Sequence, residues 1–227
     1  MNIDITKFER DENGNVLCIV MKNGDFKFLK GNRIRWGGCL VNFGTGKNNT
    51  AILYEGTRFV KSQICFGNNC LVSIGYSKYI ISDLHILPRR GKNLNVIIGE
   101  NLSCWGAVFK IGDDKNITIG DDCQFSYGIY LWNGDGHAIF DATTGECINQ
   151  GKEVVIGNHV WIGHNVEILK GTKISDNSVV GAKSLVNKRF DEPNVILAGN
   201  PAKIIKTNIN WDRRSPGGYM DMRSKLQ

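Results

Sequence analysis

From Ile156 onward the chain places an aliphatic residue at every sixth position: Ile156, Ile162, Ile168, Ile174, Val180 and Val186. An amphipathic helix repeats its apolar residues at spacings of three and four, and a half-buried strand at two. A strict period of six fits neither. Glycine follows three of these positions, at Gly157, Gly163 and Gly181. The pattern predicts short parallel strands joined by tight corners and stacked into a prism, with aliphatic ladders facing inward. A unit of this kind cannot bury its core alone, so several must stack and the ends need caps.

The same phase runs upstream in broken form. Ile98 leads to Cys104, then Ile111 falls one residue out of step, and Ile119 leads to Phe125 and Leu131. Ile74-Gly75 and Phe66-Gly67 predict earlier, less regular coils. The expected organisation is a solenoid over residues 45–206, preceded by an N-terminal cap over 1–44 and followed by a tail over 207–227. In the cap, LCIVMKNGDFKFL reads as a hairpin turning at Asn23-Gly24. The tail is polar and basic and is expected to form a short capping helix. One stretch breaks the repeat. Residues 132–155 hold Gly, Asn and Asp turn formers around a single His137. A loop of this length inside a regular solenoid is more often functional than accidental.

Composition narrows the picture. The chain has 227 residues and 41% hydrophobic content, enough for a sizeable core. Glycine is plentiful at 27 and proline scarce at 4, which favours a turn-dense β architecture. No apolar run reaches the roughly 18 residues that a membrane span needs. The N-terminus lacks the apolar core of a secretory signal. Seven scattered cysteines without a CxxC pair read as reduced thiols used as small hydrophobes, which points to the cytoplasm. In that compartment the Asn-x-Ser/Thr triplets at Asn48, Asn101 and Asn116 carry no glycosylation meaning. The net charge of +6 fits an anionic ligand. No Lys/Arg stripe with interleaved aromatics occurs, so nucleic acid is not an expected partner.

IGNHVWIGHNVEILKGTKISDNSVVGAKS, followed by ILAGNPAKII, resembles the hexapeptide-repeat acyltransferases. The resemblance covers about residues 60–206. It implies an all-β, left-handed parallel β-helix, a homotrimer, and acyl-CoA bound between neighbouring prisms. DGHAIFD (135–141), with Trp161 further on, is similar to the O-acetyltransferases of bacterial capsule, polysialic acid and O-antigen clusters, and to galactoside and maltose acetyltransferases.

On that resemblance His137 is the expected general base. An imidazole titrates near neutrality, so it can take the proton of an attacking sugar hydroxyl and pass it to the leaving thiolate. Asp135 or Asp141 is a candidate to fix its tautomer, although a backbone carbonyl would serve equally and each Asp can instead form a turn. No Ser or Cys is an obvious nucleophile beside His137, so transfer is expected to be direct. The resemblance implies that Trp161 packs along the acetyl-CoA groove and that the Gly181–Ala182 backbone bonds the pantetheine amides. It sets His164 near the cofactor where relatives carry a small polar residue, and Asn187 where they often carry Thr. It also implies that Lys203 and Lys206 reach the CoA phosphates.

His159 and His164 form an H-x4-H pair similar to one in the gamma-class carbonic anhydrases, where a third histidine completes a zinc site. The region expected to supply that ligand holds Cys123 and no histidine. Catalytic zinc takes three protein ligands, so the pair is read as wall and no metal cofactor is expected. The expected function is a bacterial, cytoplasmic, acetyl-CoA-dependent O-acetyltransferase acting on a surface polysaccharide or its precursor. The alternatives are an N-acetyltransferase of an amino sugar nucleotide and a non-catalytic or zinc-binding β-helix trimer.

Overall fold

The computed structural model describes residues 3–88, 91–112 and 114–225; the outermost two residues of the expected cap and of the tail lie outside them. The strands form three sheets, of nine, eight and eight strands, which are the faces of a prism. Successive strands visit the faces in turn: Val154–Ile156 on the first, Trp161–Ile162 on the third, Glu167–Ile168 on the second, then Lys173–Ile174 on the first again. Neighbours one coil apart pair in parallel, so the architecture is a parallel β-helix.

The six-residue ladder is the inner wall. Ile156, Ile162, Ile168, Ile174, Val180 and Val186 are all essentially inaccessible to solvent. Each lies in register with its counterpart one coil away, as in Ile156 with Ile174 and Ile168 with Val186. The irregular upstream coils obey the same rule with one adjustment. On the second face the residue in register with Leu131 is Phe109, not Ile111. The strand Ala107–Ile111 turns Ala107, Phe109 and Ile111 all inward by ordinary alternation, so both candidates are buried. The longer strand absorbs the extra residue that put Ile111 out of step.

The N-terminal hairpin forms as expected. Val16–Val20 pairs antiparallel with Phe26–Leu29 around Gly24 at φ +88°. Val16–Val20 also pairs in parallel with Thr50–Tyr54, and Cys39–Asn42 with Ser62–Cys65, so solenoid pairing extends into the region read as a cap. At the other end the strand Ala202–Lys206 folds back antiparallel on Ile196–Gly199, and a helix, Pro216–Ser224, follows with Ser215 as its N-cap. No helix among the described residues is long and apolar enough to cross a membrane.

All seven cysteines are free. Burial pushes the Cys39, Cys104 and Cys123 thiols up to about 12, as expected for small hydrophobes in a core.

Candidate active site

The coil is interrupted between Ile129–Trp132 and Val154–Ile156. Residues 133–153 leave the prism, run out as a narrow arm and return. The arm is closed by a single antiparallel bridge between Phe140 and Cys147. Ile139, Phe140 and Ile148 on it are 56%, 63% and 66% exposed, so it has no core of its own within one chain.

Where the base of the arm meets the second face there is a cavity of about 710 Å³. Asp135, His137, Cys147 and Asn149 of the loop line one side, and Lys110 and Trp132 of the prism the other. The Lys110 ammonium lies 4.4 Å from the Trp132 ring centroid and 5.5 Å from that of Tyr130, close enough for cation–π attraction. His137 itself is exposed.

Among the described residues neither acidic candidate is hydrogen-bonded to the His137 ring. Asp141 accepts from the backbone N–H groups of Thr143 and Thr144, which is a turn. Asp135 accepts from Lys170 Nζ at 2.6 Å and from Asn149 Nδ2 at 2.7 Å. The Lys170 ammonium, followed by the Asn149 amide, holds the Asp135 carboxyl below its ordinary value. Asn149 Nδ2 also donates to the His137 carbonyl at 2.9 Å, and Asn149 Oδ1 accepts from the Ile139 N–H at 2.7 Å. Asp135 is therefore linked to the backbone of the histidine segment through Asn149. Cys147 is a cavity residue that the sequence reading did not set beside His137; its Sγ lies 3.5 Å from Asn149 Oδ1.

The residues expected to bind the cofactor stand elsewhere. None of Trp161, His164, Gly181, Ala182, Asn187, Lys203 and Lys206 lines the His137 cavity. Trp161 is on the third face, 6.1 Å from the Trp211 ring, and lines a second cavity with Trp211, Arg213, Arg214 and Tyr219. The His164 ring stacks on Tyr127 with centroids 5.4 Å apart. Gly181 and Ala182 form the corner after Val179–Val180; a Cβ on Gly181 would stand 3.2 Å from Ala198 Cβ, so its smallness already serves coil stacking. Asn187, Lys203 and Lys206 are exposed on the last coils.

The H-x4-H pair does not converge. His159 sits at a left-handed corner, φ +53°, outside the inner wall. Its Nδ1 is 2.7 Å from Asp122 Oδ2, its Nε2 is 3.0 Å from the Trp211 carbonyl, and its ring stacks on Trp211 at 4.2 Å. Instead of forming wall, His159 anchors the C-terminal segment, together with Arg213, which donates to Asp122, Gln124 and three backbone carbonyls. Among the described residues no group of three or more His, Cys, Asp or Glu is arranged to hold a metal ion.

The family described as Bacterial transferase hexapeptide (six repeats) matches residues 153–188. A polysialic acid O-acetyltransferase of Neisseria meningitidis is 37% identical over 169 residues, 65% of this chain and 78% of that protein. The chain belongs to the hexapeptide-repeat acetyltransferases. A second polysialic acid O-acetyltransferase, from Escherichia coli O1:K1 / APEC, is 42% identical over 124 residues. That match spans 54% of this chain but only 39% of the E. coli protein. The crystal structure of the polySia-specific acetyltransferase NeuO superposes with a TM-score of 0.71 at 31% identity, covering 94% of this acetyltransferase and 95% of NeuO. The fold class is thus the left-handed β-helix of this family; the six-residue period anticipated the prism and the resemblance its hand.

The sequence reading missed Lys170, Asn149, Lys110 and Trp132. For Lys170 a signal existed. It follows Ile168 by two residues as Asn133 follows Leu131, and Leu131 and Ile168 are register partners. Lys170 therefore leaves the same corner as the loop, one coil further on.

Proposed function

We propose that this chain transfers the acetyl group of acetyl-CoA to a hydroxyl of a bacterial surface polysaccharide or its precursor, with His137 as general base. The observation that carries the reading is the cavity of about 710 Å³ that the repeat-breaking loop makes with the second face, with His137 in its wall. His137 takes the hydroxyl proton as the oxygen attacks the thioester carbonyl. The carbon–sulfur bond breaks, and the proton passes to the departing thiolate of CoA. Trp132 offers an aromatic face to a sugar ring and Lys110 a positive charge beside it. The names of the relatives, polysialic acid O-acetyltransferases, support a glycan acceptor.

The cofactor groove is assigned to Trp161, His164, Gly181, Ala182, Asn187, Lys203 and Lys206. These lie apart from His137 within one chain, and the reading joins the two halves across subunits of a cytoplasmic homotrimer. No metal takes part in the proposed step. The test is release of free CoA from acetyl-CoA in the presence of a panel of capsule and O-antigen polysaccharides. Acceptor-dependent release with at least one of them, and O-acetyl esters on the recovered polymer, is the expected result. Release that needs an amino sugar nucleotide and yields an amide would replace the reading with N-acetylation.

A further inference from the structure

The His137 segment has an anchoring problem. It lies on a loop whose strand-like pairing is the single Phe140–Cys147 bridge, and the arm exposes its apolar residues to solvent. The inward ladders that fix every other coil are missing from residues 133–153. A catalytic group displaced by about 1 Å can lose on the order of 10²-fold in rate, so whatever holds this backbone governs the chemistry.

Two side chains hold it. Lys170 stands on the corner after Glu167–Ile168, a strand that pairs in parallel with Ile129–Trp132, from which the loop departs. Its side chain is only 19% exposed, and its ammonium donates to Asp135 Oδ2 and to the Asn149 carbonyl, each at 2.6 Å. Asn149, on the returning limb, donates through one amide nitrogen to Asp135 and to the His137 carbonyl, and accepts from the Ile139 N–H. Outgoing and returning limbs are thereby tied to each other on both sides of His137 and to a lysine rooted in the rigid prism. Lys170 is not a ladder residue, and the neighbouring Ile168 supplies the core contact.

We propose that Lys170 and Asn149 are positioning residues for His137, acting through the Asp135 carboxylate and the loop backbone. This rests on the reading of His137 as the base. The Lys170 ammonium is spent on Asp135 and the Asn149 carbonyl, so its loss lowers turnover while leaving cofactor affinity and fold in place.

The experiment compares Lys170→Met, Lys170→Arg, Asn149→Ala, Asp135→Asn and His137→Ala in the full chain, reading kcat, KM for acetyl-CoA and thermal midpoint. Lys170→Met and Asn149→Ala should each lower kcat by roughly 10–100-fold, with KM for acetyl-CoA within about twofold of wild type. Lys170→Arg, which can still reach the carboxylate, should recover most of that loss. Lys170→Met combined with Asp135→Asn should be no worse than the weaker single variant, because the two act as one unit. Full turnover in Lys170→Met beside an inactive His137→Ala overturns the positioning role and spares the base. A loss in Lys170→Met that Arg does not rescue, and that adds to the loss in Asp135→Asn, overturns the route through Asp135. Full turnover in His137→Ala overturns the base assignment and, with it, the role given to Lys170.

Discussion

Residues 156–186 and residues 133–153 nearly adjoin in the chain and are held by different forces. In the first, each sixth residue is buried against its register partner one coil away, and the stabilisation is apolar area removed from water. In the second, Phe140 and Ile148 stand exposed, and the ties include hydrogen bonds from Lys170 and Asn149, one bridge, and the buried Asn133 at the base of the loop. The ladder repeats the same apolar contact coil after coil; the loop depends on a few polar atoms. A rigid, repetitive scaffold that carries one irregular loop is a way to fix a reactive side chain without building it into the core.

Substitutions in the two regions should differ in cost. The largest effect should come from the ladder: Ile168→Ala removes a fully buried side chain between two coils and should cost about 2–5 kcal/mol in chemical denaturation. On the arm, Phe140→Ser should change the stability of a single chain by no more than about 0.5 kcal/mol. Equal costs at the two positions would mean that the arm carries a core of its own. On the cofactor face, Trp161→Ala should raise KM for acetyl-CoA by roughly tenfold while changing kcat less, as expected for loss of uniform binding. An unchanged KM would remove Trp161 from the groove.

Acid should act on the loop before the ladder. The Asp135 carboxyl is held below its ordinary value, chiefly by Lys170. A depressed carboxylate contributes stability that is fully present above its unfolded value and is lost only as pH falls through the lowered folded value. Hydrogen exchange at the loop should therefore be unchanged by this group between pH 7 and about 5. Loosening of residues 135–149 already at pH 5, with the ladder still protected, would contradict the anchor. The smallest effect is expected at the half-buried His164, whose ring stacks on the exposed Tyr127. His164→Ser should alter kcat/KM by no more than about threefold.

The six-residue period made the prism legible because burial in a solenoid is written at fixed intervals, and no other element shares that interval. It failed at Ile111, where a five-residue strand buries three side chains and only pairing shows that Phe109 carries the register. The position of His137 was legible as an interruption of the repeat. Its surroundings were not: Asn149 and Lys170 reach Asp135 through folding of the loop back on the next coil, a contact that spacing within the loop does not encode. His159 was misread as wall because its partners, Trp211 and Arg213's acceptor Asp122, come from a tail without periodicity and from a coil 37 residues earlier.

The most direct test of the catalytic assignment is His137→Ala, assayed for CoA release with an accepted polysaccharide and, separately, for acetyl-CoA binding. Turnover should fall by about 10²–10⁴-fold while acetyl-CoA binds almost as in the wild type. Turnover retained within a few-fold of wild type would contradict the assignment of the loop cavity as the site of chemistry.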